Sequence, residues 1–189
     1  MACGLAALPE DVTGPVVVTS GDVPLLDTAT LRALVAQHVE RGDAVTLLTA
    51  VLEDPTGYGR VLREADGTVS AIVEQRDATA EQRGITEINA GVYVFDAADL
   101  RAALGTLGTD NDQGEVYLTD VVAYAHRAGR PTSALVVEDH WLVEGCNDRA
   151  QLAALGAELN RRVVAHWMEQ GVGVVETWQI GRASCRERV

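Results

Sequence analysis

Pro15-Val16-Val17-Val18-Thr19-Ser20-Gly21-Asp22-Val23-Pro24-Leu25-Leu26 runs from an unbroken apolar stretch straight into a polar turn. A short apolar run with no polar alternation predicts a central strand of a parallel sheet, buried on both faces. Asp27 then stands as the cap of a helix over residues 28–41. Leu31, Leu34, Val35, His38 and Val39 fall on one face of it, and Gly42 suits its C-terminal cap. Residues 44–52 read as the next strand. A strand, a helix and a second strand in succession define an α/β fold, in which ligands gather at the carboxyl ends of parallel strands. Ser20, Gly21 and Asp22 would lie at such an end.

Working outward, Asp54-Pro55-Thr56-Gly57 is a turn cluster. Residues 60–63 and 68–74 predict a hairpin across Asp66-Gly67. Residues 88–95 predict another strand. Asp96 would cap the following helix and Asp99 would sit in its first turn. Residues 109–114 read as a polar loop, 115–127 as a helix stopped by Gly129, and 133–138 as a strand. Asn147 would cap a long helix with Leu152, Leu155, Leu159 and Val163 on one face. Such a helix start favours anions. The sheet is expected to be mixed and mostly parallel.

Of the 189 residues, 47% are hydrophobic and 23% charged, which supplies one domain with a real core. The formal net charge of −13 repels a phosphate backbone, so the chain is not expected to bind nucleic acid. A nucleotide substrate stays open, because a divalent cation reverses the local sign. No apolar run reaches the roughly 18 residues of a membrane span. Cys3, Cys146 and Cys185 have no metal-ligand or redox spacing, which points to a reducing cytoplasmic setting.

Asp22, directly after a strand and beside Gly21, offers a hard carboxylate oxygen of the kind Mg²⁺ prefers; it equally suits a turn Asp bonding nearby amides. Gly57 and Gly59 flank Tyr58 and would let backbone approach a planar ligand, or simply make a turn. Glu74 and Asn89, at strand ends, could hydrogen-bond sugar hydroxyls, or be an edge carboxylate and a turn amide. His38, His126, His140 and His166 share no metal spacing. No Ser/His/Asp or Cys/His nucleophile set is present.

Six segments in register carry a resemblance. They are residues 17–26, Asp54-Pro55-Thr56-Gly57-Tyr58-Gly59-Arg60, Ile72-Val73-Glu74-Gln75, Glu87-Ile88-Asn89-Ala90-Gly91, Tyr117-Leu118-Thr119-Asp120 and Val143-Glu144-Gly145-Cys146-Asn147-Asp148-Arg149. Together they resemble the uridyltransferase domain of the bifunctional N-acetylglucosamine-1-phosphate uridyltransferase/glucosamine-1-phosphate acetyltransferases. The Ala/Val-rich texture is similar to actinobacterial members.

The resemblance implies a Rossmann-like nucleotidyltransferase sheet. It implies transfer of a uridylyl group from UTP to N-acetylglucosamine 1-phosphate, giving UDP-N-acetylglucosamine and pyrophosphate. Asp22 and Asn147 match the family's Mg²⁺ ligands. Ser20 and Gly21 match positions beside the nucleotide-sugar, and Gly59, Glu74 and Asn89 those that hold the N-acetylglucosamine part. Cys146 replaces a more usual aliphatic residue.

A Gly-rich loop bearing Arg and Lys, with which the family opens, has no counterpart before Val16. Met1 is therefore read as an internal residue. Residues 1–170 are expected to form a partial nucleotidyltransferase domain, and 171–179 the threshold of the family's left-handed β-helix, on which its homotrimer is built. Residues 180–189 resemble a translated sequencing adapter and are set aside from fold reasoning. Little turnover is expected from this chain alone. The alternatives are a thymidylyl- or guanylyltransferase and a non-catalytic nucleotide-sugar-binding module.

Overall fold

The computed structural model describes Pro9, residues 12–106 and residues 117–174. The described chain divides into two compact units. The first runs to Ser20 and resumes over Leu26–Val143; the second comprises Gly21–Leu25 and the chain from Glu144 onward. The readings for 109–114 and 180–189 lie outside the described residues, as does most of 171–179.

The first unit is a six-stranded mixed sheet with helices. Its elements are β1 (Pro15–Val18), α1 (Thr28–Arg41), β2 (Val45–Val51), β3 (Arg60–Arg63), β4 (Val69–Val73), α2 (Ala80–Arg83), β5 (Glu87–Asp96), α3 (Ala97–Leu104), α4 (Asp120–Arg127) and β6 (Thr132–Val137). The path across the sheet is β4-β3-β5-β2-β6, and β1 pairs with β5 off that path.

The α/β class read from sequence holds, but the strand pairing corrects it. Among the described residues only β2 and β6 pair in parallel; β1, β2 and β3 each run antiparallel to β5, and β3 to β4. β1, β2, β3 and β6 still share one direction. β5 enters against them and separates strands that would otherwise be parallel neighbours. An apolar run reads alike beside a parallel or an antiparallel partner, so periodicity could not tell these apart. β1 is also not buried on both faces: its residues alternate between exposed and half-buried, with Val17 44% exposed.

Local signals did better. Asp27 accepts from the Thr30 amide at 2.7 Å and starts α1, and Gly42 ends it in the left-handed region at φ 63°. Leu34 and His38 are the buried residues of that helix, while Val39 is exposed. Asp96 caps α3 through the Ala98 and Asp99 amides. The helix expected from residue 115 begins at Asp120, because residues 117–119 turn instead. The core gathers Val45, Leu47, Phe95, Leu100 and Val122 between the sheet and its helices, with Tyr93 stacked on Phe95 at 5.3 Å. Each such fully buried side chain contributes about 1.5–3 kcal/mol by leaving water.

In the second unit the chief element is α5 (Arg149–Glu169). Its cap corrects the sequence reading. Asp148, not Asn147, accepts from the Gln151 amide at 2.7 Å. Of the apolar stripe along α5, Leu155 is buried, whereas Leu152, Leu159 and Val163 are exposed. No helix among the described residues is long and apolar enough to cross a membrane.

Candidate active site

The first unit gathers four of the predicted residues where one strand changes partner. One edge of β5 pairs with β2 over Glu87–Asn89 and again over Tyr93–Phe95. Its other edge pairs with β1 over Tyr93–Asp96 and with β3 at Ile88. Between those two partners the ladder is interrupted. The register against β2 also slips there, since Leu47 faces Tyr93 but Thr49 faces Asn89. Gly91 absorbs the slip at φ +71°, a backbone region that glycine enters without strain. A Cβ at Gly91 would meet Ser20 Oγ at 2.8 Å, so the glycine also admits Ser20. Ser20 Oγ lies 3.5 Å from Gly91 O.

Asn89 and Gly59 fill the same gap. The Asn89 amide donates to Gly59 O at 2.9 Å. Asn89 Oδ1 accepts from the Gly91 amide at 3.2 Å, and its Nδ2 donates to the hydroxyl of buried Tyr93 at 2.7 Å. Two protein partners fix the carboxamide and leave one N–H and one lone pair unspent for a ligand.

Glu74 stands beside them. A Cβ on Gly59 would sit 2.9 Å from Ile72 Cγ2 and 3.3 Å from Glu74 Oε2, so only glycine lets β4 close against this loop. Glu74 Oε1 accepts from the hydroxyl of buried Thr119 at 3.2 Å. Burial pushes the Glu74 carboxyl above its ordinary range; the Thr119 hydroxyl opposes this, and Asp77 and Asp120 add to it.

The loop before β3 is held by an arginine. Arg60 is 1% exposed and donates to Tyr58 O and, at 2.7 Å, to Gln75 Oε1. The same Gln75 oxygen accepts from the Gly57 amide at 3.4 Å. The sequence reading assigned no role to Thr119, Arg60, Gln75 or Tyr93. A strand opening on Arg between Gly59 and Val61 was the one visible signal of a buried cation.

The second unit holds the remaining pair with Gly21. Cys146 donates its amide to Asp22 O at 2.8 Å, which ties residues 21–25 to the 144–147 turn. The position of a Cβ on Gly145 is 3.6 Å from Asn147 Nδ2 and 3.8 Å from Asp22 Oδ2. Both side chains therefore converge on one place from opposite ends of the sequence. Because Asp148 takes the capping bond, the Asn147 carboxamide is not occupied by the cap of α5. Asp22, Asn147 and Gly21 are all exposed. Among the described residues no three His, Cys, Asp or Glu side chains cluster as a metal cage. One carboxylate and one carboxamide with open surroundings suit a cation that keeps water and substrate oxygens in its shell, as Mg²⁺ does.

Elsewhere in the first unit, a polar cavity of about 660 Å³ is lined by Gln37, Arg41, Arg63, Thr68 and Ser133 among others, and by none of the residues predicted for the site.

A glycine-lined break in a mixed sheet, with a fixed carboxylate and carboxamide on it, can accept and donate hydrogen bonds to a polar ligand. The profile described as Nucleotidyl transferase matches residues 2–155, and the chain belongs to that family. Its relatives sharpen this. It is 56% identical over 93% of its length to the Bifunctional protein GlmU of Kineococcus radiotolerans and 59% identical over 93% to that of Mycolicibacterium gilvum. Over 89% of its length it is 60% identical to that of Pseudarthrobacter chlorophenolicus. The resemblance read from six short segments is thus borne out at the level of the family. The chain spans 35–36% of the length of these relatives.

Proposed function

We propose that this chain carries the nucleotidyl-transfer site of an enzyme that makes UDP-N-acetylglucosamine from UTP and N-acetylglucosamine 1-phosphate in the cytoplasm. The observation that carries the reading is the meeting of Ser20, Gly59, Glu74 and Asn89 at the interrupted edge of β5. The relatives' shared name supports the choice within the family.

In this reading an oxygen of the sugar phosphate attacks the α-phosphorus of UTP in line. The new P–O bond forms as the bond to the bridging oxygen breaks, and pyrophosphate leaves. Such a transfer needs positioning and charge neutralisation, and no side chain has to form a covalent bond. Asp22 and Asn147 would hold Mg²⁺, which supplies positive charge to the phosphate oxygens. Glu74 accepts hydrogen bonds from sugar hydroxyls, and Asn89 contributes its unspent N–H and lone pair. Gly59 leaves room for the sugar ring to approach backbone. Tyr93 and Thr119 keep the carboxamide and the carboxylate from turning away.

Isothermal titration of this chain with a panel of nucleotide-sugars in MgCl₂ tests the proposal. UDP-N-acetylglucosamine is expected to bind more tightly than UDP-glucose, dTDP-glucose or GDP-mannose. Preference for the thymidine or guanosine compound would reassign the chain to another branch of the family. Equal, weak heats for all four would sink the reading.

A further inference from the structure

Arg60 is a large, fully buried side chain with an unsatisfied donor, since its Nε has no hydrogen-bond partner. Among the described residues no carboxylate lies within ion-pair distance of it. Burial lowers its pKa; Asp54 opposes that from a distance, while Arg83 adds to it. A cation buried without a counter-ion costs stability, and an apolar side chain of the same volume usually does as well or better in its place. Stability therefore does not account for an arginine here.

Its hydrogen bonds do account for it. One guanidinium nitrogen donates to Tyr58 O and another to Gln75 Oε1, and Gln75 Oε1 also receives the Gly57 amide. The planar fork thus joins the turn of residues 57–59 to the residue that follows Glu74 on the β4 side. Gly59 and Glu74 face each other across that same junction. A point charge on a flexible stem could not reproduce two bonds in one plane.

We propose that Arg60 is a positioning residue, which locks Tyr58 and Gln75 together so that Gly59 and Glu74 keep the spacing a bound sugar requires. The role in sugar binding rests on the function proposed above; the locking of the loop does not.

Amide hydrogen exchange and nucleotide-sugar titration on Arg60→Met and Arg60→Lys test it. In Arg60→Met the Gly57 and Tyr58 amides are expected to exchange about tenfold faster, while β5 keeps its protection and the melting temperature does not fall. Arg60→Lys, which keeps the charge without the fork, is expected to loosen the same two amides and serves if the Met variant does not fold. Both variants should bind UDP-N-acetylglucosamine about tenfold more weakly and UTP as before. Unchanged exchange at Gly57 and Tyr58 in the folded variants overturns the locking role. Faster exchange with unaltered affinity for the sugar nucleotide overturns its link to binding. If the unaltered chain binds no nucleotide-sugar, the proposed function fails, and the exchange rates alone decide on Arg60.

Discussion

The Gly59–Glu74–Asn89 region and the Asp22–Asn147 pair are built on opposite plans. In the first, nearly every polar group already has a protein partner: Asn89 is held by Gly91 and Tyr93, Glu74 by Thr119, and the loop by Arg60. In the second, both side chains are exposed, and a backbone hydrogen bond, from Cys146 to Asp22, joins their segments. In the function proposed above the first region meets a sugar, which is recognised by many weak, directional hydrogen bonds, and its groups are fixed in advance at a cost in burial. A hydrated divalent cation supplies its own strong field and can organise exposed oxygens when it arrives.

The largest effect that would break this contrast concerns the exposed pair. Asp22→Ala is expected to lower Mg²⁺ affinity by at least about tenfold, an effect of the size seen when metal-site groups are removed. Its melting temperature without metal should match the unaltered chain, because an exposed side chain supports little. Titration with Mn²⁺ as a paramagnetic probe, beside calorimetry, checks both statements. A large loss of stability would mean that the pair is as pre-built as the Gly59–Glu74–Asn89 region.

Gly59→Ala attacks the other side. The added methyl would stand 2.9 Å from Ile72 Cγ2, so the Ile72 side chain or the backbone of the loop must shift. Overpacking of this kind costs about 1–3 kcal/mol, readable in urea unfolding. Sugar-nucleotide affinity should fall with it.

Glu74→Gln sharpens the comparison through pH. The Glu74 carboxyl is raised in the folded chain, chiefly by burial. The folded state then holds its proton to higher pH than the unfolded state does. Its contribution to stability is full below the ordinary glutamate range and is lost as pH rises through the raised folded value. The stability difference between the unaltered chain and Glu74→Gln should therefore move in favour of the variant across that window. Melting curves from pH 4 to 8 measure it; a flat difference would show that the carboxyl is not desolvated.

The smallest expected change is at Asp148→Ala. Loss of the cap bond to the Gln151 amide should cost about 1 kcal/mol in the second unit and leave the first unaffected.

Legibility from sequence followed the range of the interaction. Asp27, Asp96 and Gly42 act on amides within a few residues, and their roles were plain. The Asp66-Gly67 hairpin was read to within a residue. The cap of α5 was missed by one position, since Asn147 and Asp148 are adjacent and equally suited to it. Thr119 could not be tied to Glu74, nor Arg60 to Gln75, because 45 and 15 residues separate those partners.

The sequence by itself determined where the chain turns, which segments are helix or strand, and which family they resemble, since these rest on local sterics, capping and the order of short motifs. The tertiary structure alone decided that β5 runs against its neighbours and changes partner at Gly91. It alone brought Ser20, Gly59, Glu74 and Asn89 to that gap. Strand direction and long-range contact come from how apolar faces pack in three dimensions, and the same apolar run satisfies either direction equally well.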